Sequence, residues 1–265
     1  DGAMMLDQFC WWFKSQADIF IGVRQLDAHQ LGLYTTALFL TQILAAKFVP
    51  PLNEVAFAAY SRLQPHRGAL VGAFLKAVRL IMLAALPFYF GLAVTAEPLV
   101  LTVLGPKWAE TIPIVPILAL AMPLMTLQIL FAPATNATGR PGVALRASFA
   151  GAVIMAIAFL AGVQFGIIGL AWAWLVGMLL LMLARAWLSL PAIGIRIGQL
   201  PGAVAPGHAA SAAMAILVWT LSAMLPPMAA PARLAVLVVA GVSIYAALLL
   251  AFARPIVDEL LALVR

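Results

Sequence analysis

The chain has 265 residues, 65% of them hydrophobic and only 9% charged, with a formal net charge of +6. A soluble domain carries about a quarter charged residues, so this composition excludes a water-soluble globular fold and points to an all-α, polytopic membrane helix bundle. A single cysteine, Cys10, excludes an intrachain disulfide and a cysteine metal cluster, and His29, His66 and His208 are scattered without helical pairing, so neither metal nor cofactor is expected.

The opening "DGAMML" has neither the basic segment nor the small-residue cleavage site of a signal peptide, and it enters an apolar run almost at once. The expectation is a piece that lacks upstream spans. Apolar runs bounded by charged, Gly and Pro residues predict eight spans, at 3–23, 32–59, 69–95, 110–135, 143–163, 167–190, 208–226 and 232–253. They form a single transmembrane lobe, 1–265, with no connection long enough to fold as an extramembrane domain.

The first span, "LDQFCWWFKSQADIFIG", keeps Asp7, Lys14 and Asp18. A central Asp or Lys opposes insertion by roughly 2.5–3.5 kcal/mol, against a gain of about 0.3–0.6 for each Leu, Ile or Phe, so the apolar residues offset one such charge at best. At about 100° per residue the three charges fall on one stripe, with Trp11 at its edge. Thr36, Lys47 and Glu54 of the second span repeat that geometry, with Pro50 and Pro51 between the two charges.

Ionisable groups inside a membrane face a bundle interior or a wet cavity. Two readings follow. In one, the stripes line a hydrated cavity: Lys14 and Lys47 attract an anionic substrate beside Thr36, Trp11 stacks on a sugar ring, and Asp7, Asp18 and Glu54 tune the lysines or carry a coupling ion. In the other, Lys14 with Glu54, or Asp18 with Lys47, only fixes helix packing.

Further along, Pro87 lies in the third span and Pro113, Pro116, Pro123 and Pro133 in the fourth, each removing a donor and bending its helix. "GPKW", Gly105 to Trp108, reads as an interfacial turn anchored by Trp108. "GAVIMAIAFLAG" and "GIIGLAWAWLVG" offer small-residue faces for close helix approach. Spans five to eight carry almost no intramembrane charge, which concentrates the chemistry in the first half. The stretch 191–207, "PAIGIRIGQLPGAVAPG", reads as the longest connection, lying partly in the interface, and "RPIVDELLALVR" as a short surface-lying amphipathic helix.

Sorted by membrane side, Arg62, Arg67, Lys76, Arg79, Arg140, Arg146, Arg185, Arg196, Arg254 and Arg265 fall on one side, and Arg24, Lys107 and Arg233 on the other. This bias places the first side, and both termini, in the cytoplasm. The basic loop around Arg62 and Arg67 lacks the aromatic interleaving of a nucleic-acid module, so anionic lipid is its expected partner.

With these residues in view, "ADIFIGVRQLDAHQLGLYTTA", "VPPLNEVAFAAYSRLQ", "LPFYFGLAVTAEPLVLTVLGPKW" and "PILALAMPLMTLQILFAPATNATGR", in that order over about residues 15–140, resemble the second half of Wzx-type polysaccharide transporters of the MATE-like superfamily. The resemblance implies the C-terminal lobe of a two-lobed protein in the bacterial inner membrane. It implies transport by alternating access, with an undecaprenyl-diphosphate-linked oligosaccharide moving from the cytoplasmic to the periplasmic leaflet in lipopolysaccharide or exopolysaccharide assembly. Basic side chains on the cavity wall, here Lys14 and Lys47, would meet that substrate; a proton or sodium gradient and envelope polysaccharide assembly proteins are further expected partners. Alternatives are a lipid II flippase, a drug or cation exporter, or an assembly scaffold. A membrane polymerase or ligase is disfavoured because the external loops are short and nearly devoid of His, Asp and Glu, so an enzyme is not expected.

Overall fold

The computed structural model describes Met5 and residues 16–63, 67–138, 141–196 and 198–252, and among the described residues every regular element is helical. A first helix, α1, runs through 16–25 and turns back at 26–27 into α2 (Ala28–Leu63). There follow α3 (Arg67–Val94), α4 (Ala96–Val103), a 3₁₀ turn (Pro106–Thr111), α5 (Val115–Ile129) and α6 (Phe131–Ala137). A hairpin of α7 (Pro141–Gly162) and α8 (Gly166–Ile193) precedes α9 (Gln199–Met224) and α10 (Ala230–Phe252).

Five stretches of the described residues are long and apolar enough to cross a membrane: Gly68–Val94, Val115–Ala137, Gly142–Ile193, Gln199–Met224 and Ala230–Phe252. The third, at 52 residues, is two passes. Its helices run antiparallel, since Gly151 abuts Leu181, Gly177 abuts Met155, and Gly162 abuts Gly169 nearest the turn. The chain is thus a multi-pass membrane helix bundle.

Two of the helix breaks follow from proline placement, although Pro87, Pro123, Pro191 and Pro206 lie inside continuous helices. Pro98 and Pro133 lack the N–H that the carbonyls of Val94 and Ile129 would accept, and the chain breaks three residues earlier in each case, at Thr95 and at Leu130. Threonine hydroxyls bond back at both places, Thr95 Oγ1 to the Gly91 carbonyl at 2.8 Å and Thr135 Oγ1 to the Phe131 carbonyl at 2.8 Å. The stretch 110–135, expected as one span, holds the end of a 3₁₀ turn and two helices, α5 and α6, which together make the single apolar stretch Val115–Ala137.

The stretch 191–207 also departs from expectation, because helix occupies most of it and only 194–198 connects α8 to α9. Gly194 at φ +94° ends α8 in the left-handed conformation that glycine adopts without a Cβ clash, its N–H and that of Ile195 both donating to the Leu190 carbonyl. Pro201 then sits in the first turn of α9, where no intrahelical donor is required. The tail 253–265 lies outside the described residues.

The core has two main layers along the bundle. Tyr34, Tyr89, Leu118, Phe159, Leu170 and Trp174 belong to one, and Phe74, Leu86, Phe131, Leu190 and Ile193 to the other. At the end nearer the first layer, Gln164 Nε2 donates to Gln25 Oε1 at 3.1 Å, His29 Nε2 lies 3.3 Å from Glu110 Oε2, and Arg233 lies 3.6 Å from Glu97. Arg24, Lys107 and Arg233, the three basic residues that the sequence sets apart, gather at this end; Lys107 Nζ lies 5.8 Å from the Trp108 ring centroid, a cation–π contact.

The α7–α8 crossing depends on its glycines. A Cβ on Gly169 would collide with the Gly162 carbonyl oxygen, and one on Gly162 would come within 2.5 Å of the Gly169 oxygen, both rigid backbone. A Cβ on Gly177 would meet the movable Met155 thioether at 2.8 Å. Gly169→Ala is expected to destabilise the protein by about 1–3 kcal/mol and Gly177→Ala by clearly less, read as thermal unfolding midpoints of the detergent-solubilised protein.

Candidate functional site

The 26–27 turn folds α1 onto α2 so that residues about equally far from it face each other, which brings Asp18 opposite Tyr34. Asp18 is fully buried, at 0% exposure. Its Oδ1 accepts the Ile19 N–H at 2.9 Å, and its Oδ2 accepts the Tyr34 hydroxyl at 2.7 Å and the Trp174 Nε1–H at 3.1 Å. Trp174 Nε1 also lies 2.6 Å from the Tyr34 oxygen, so the indole N–H is shared between the two oxygens. Phe159 packs on the indole with ring centroids 5.6 Å apart. One carboxyl thereby ties α1, α2 and α8 together about 12 Å from the turn.

Asp18 is therefore sealed inside the helix bundle. The pairing with Lys47 that the sequence allowed is not formed, and the two do not line a common chamber. The reason is helical geometry: Leu33, Tyr34, Ala37, Leu38, Thr41 and Ala45 form the buried face of α2, whereas Lys47 lies roughly 140° around the helix from Tyr34.

Lys47 is exposed. It shares its face with half-buried Thr36 and Leu40 and exposed Ile43, with exposed Phe39 at the margin, so among the described residues that side of α2 is only partly covered. Thr36 and Lys47 thus stand on one open face, as their spacing predicts. Asp7, Trp11 and Lys14 lie outside the described residues, as does the side chain of Glu54, whose backbone continues α2.

A second buried charged residue was not anticipated. Arg185, counted from the sequence with the basic residues of the cytoplasmic side, is only 5% exposed within α8, so the later helices do carry an intramembrane charge. Its guanidinium donates to the Gln128 carbonyl at 3.3 Å, beside the α5–α6 break, and to Ser148 Oγ of α7 at 2.9 Å. The available signal was the run of apolar residues on both sides of Arg185, "LLLMLARAWLSL". Nothing comparable marked Tyr34 or Trp174, which read as ordinary aromatics until the fold sets them on Asp18.

Fold and site define the class: a multi-pass helical membrane protein with sealed internal polar contacts and, among the described residues, an exposed lysine-bearing face on α2. Comparison with known proteins narrows it. Residues 2–113 match the family model described as "Polysaccharide biosynthesis protein". The teichuronic acid biosynthesis protein TuaB of Bacillus subtilis (strain 168) is 26% identical over 234 residues, covering 87% of this chain and 48% of the relative. Among solved structures, the lipid II flippase MurJ in an inward closed conformation matches with a TM-score of 0.74 at 14% identity, over 96% of this chain and 53% of that one. The chain thus shares the fold of about half of that solved structure and spans about half the length of the proteins it matches.

The Asp18 cluster makes a direct prediction. Tyr34→Phe removes one of three donors from a buried carboxyl and is expected to destabilise the protein by about 1–3 kcal/mol. Thr36→Val, on the open face of α2, is expected to shift the thermal midpoint far less. Circular dichroism melts of the solubilised variants check the difference.

Proposed function

We propose that this chain is one lobe of a non-enzymatic transporter in the bacterial inner membrane. The transporter moves an undecaprenyl-diphosphate-linked oligosaccharide from the cytoplasmic to the periplasmic leaflet during lipopolysaccharide or exopolysaccharide assembly, with both termini of the chain on the cytoplasmic side. The observation that carries this reading is the open face of α2, which presents Lys47 and Thr36 on a side the lobe does not bury. In a hydrated cavity closed by a second lobe, an ammonium group attracts the substrate diphosphate by charge while a hydroxyl bonds sugar or phosphate oxygens. Lys14 and Trp11, outside the described residues, are assigned the roles of a second cation and a stacking surface.

The family match and the likeness to a teichuronic acid biosynthesis protein support a polysaccharide precursor as cargo. The fold shared with a lipid II flippase supports a second cargo, lipid II, which carries the same diphosphate chemistry. Coupling to a proton or sodium gradient is assigned to Asp7, Asp18 and Glu54. For Asp18 the support is its position as a buried carboxyl joining three helices, where a change of charge state would alter the bonds to Tyr34 and Trp174.

Lys47→Ala is expected to slow translocation of the lipid-linked oligosaccharide by about tenfold or more, the loss of one charge-assisted contact, while Lys47→Arg retains most of it. The measurement is protection of the flipped sugar from a membrane-impermeant reagent in vesicles made from cells expressing each variant. Translocation by Lys47→Ala at the normal rate overturns the assignment, and parallel assays with lipid II separate the two cargoes.

A further inference from the structure

A groove of about 380 Å³ opens on the bundle surface between the ends of α3, α5 and α9 and the start of α4, at the end where Arg24, Lys107 and Arg233 gather. Phe90, Val94, Ile112, Pro116 and Ala215 are among its walls, and exposed Leu120 and Trp219 stand at its open side. Ala215 lies nine residues before the end of α9 at Met224, which places the groove floor about 14 Å into the bundle. That depth is close to one leaflet of the roughly 30 Å hydrocarbon core. An apolar furrow of this length, open sideways in a membrane helix bundle, has the dimensions of a lipid acyl chain.

Its mouth is charged. Glu97, in the first turn of α4, lines the groove and is 56% exposed. Arg233, at the start of α10, lies 3.6 Å from it and donates to the carbonyl and Oγ of Ser222 at 3.1 and 3.0 Å. The Arg233 side chain is 31% exposed and its Nη1 lies at ion-pair rather than hydrogen-bond distance from Glu97, so the guanidinium presents donors that an anion can reach. A carboxylate and a guanidinium with spare donor capacity, side by side above an apolar groove, match the ammonium and the phosphate of a zwitterionic lipid.

We propose that this groove is a binding site for one phospholipid with a primary-ammonium headgroup, its phosphate on Arg233, its ammonium on Glu97, and an acyl chain along Val94, Leu120 and Ala215. A primary ammonium donates hydrogen bonds to the carboxylate, whereas a quaternary one cannot. Phosphatidylethanolamine should therefore outcompete phosphatidylcholine, and phosphatidylglycerol should gain from Arg233 alone.

The test is native mass spectrometry of the purified protein exchanged into mixed micelles of these three lipids, scoring the lipid retained per protein. Wild type is expected to retain phosphatidylethanolamine preferentially. Arg233→Gln should lower retention of all three lipids by about tenfold. Glu97→Gln should abolish the preference for phosphatidylethanolamine over phosphatidylglycerol while leaving retention itself. Ala215→Phe, which fills the groove without touching the charges, should reduce retention of all three, and unchanged helicity of that variant by circular dichroism separates occlusion from misfolding. Equal retention by wild type and a folded Ala215→Phe protein, or a headgroup preference insensitive to Glu97→Gln, would overturn the proposal.

Discussion

The hydrocarbon core offers no hydrogen-bond partner, so each polar atom that the chain carries into it must be matched by the chain itself. This constraint organises the bundle more than apolar burial does, since packing one greasy helix on another gains little over contact with lipid. Asp18 meets it by accepting from a backbone N–H, a tyrosine and a tryptophan on three different helices. Arg185 meets it in part, its two terminal nitrogens donating to a carbonyl on α5 and a hydroxyl on α7. These two residues therefore act as ties between helices that would otherwise have little reason to choose one another.

The same requirement explains how the chain tolerates so many prolines. A proline deprives a carbonyl four residues earlier of its donor, and in lipid that loss must be contained within the protein. The breaks at Thr95 and Leu130 are places where the backbone turns out of regular helix, and Arg185 bonds the Gln128 carbonyl beside the second of them. The glycines of α7 and α8 supply the complementary element: with no side chain between backbones, the two helices approach closely enough at Gly162 and Gly169 for dispersion to hold the hairpin.

Helix α2 divides the charged groups by role. Its inner face delivers Tyr34 to Asp18, and its outer face carries Thr36 and Lys47. A sealed charge is held by contacts within the protein, while one left on an exposed face is available to something outside it. The transport proposal rests on the second kind.

Composition and the length of apolar runs were enough to establish a multi-pass helical bundle, because the thickness of the bilayer dictates how long a spanning helix must be. Residue spacing was enough to set Thr36 and Lys47 on one face, because helical periodicity is local. Spacing on a single helix could not say what lies opposite. Asp18 sits on a stripe with Lys14 that reads as wet, yet α8, some 150 residues onward, brings Trp174 to close it off. Arg185 read as a cytoplasmic-side cation because sidedness counts charges along the chain, whereas its burial depends on the carbonyl and the hydroxyl that α5 and α7 place beside it. Which charges are paired inside and which remain open is decided by contacts between distant segments, and only the tertiary structure supplies them.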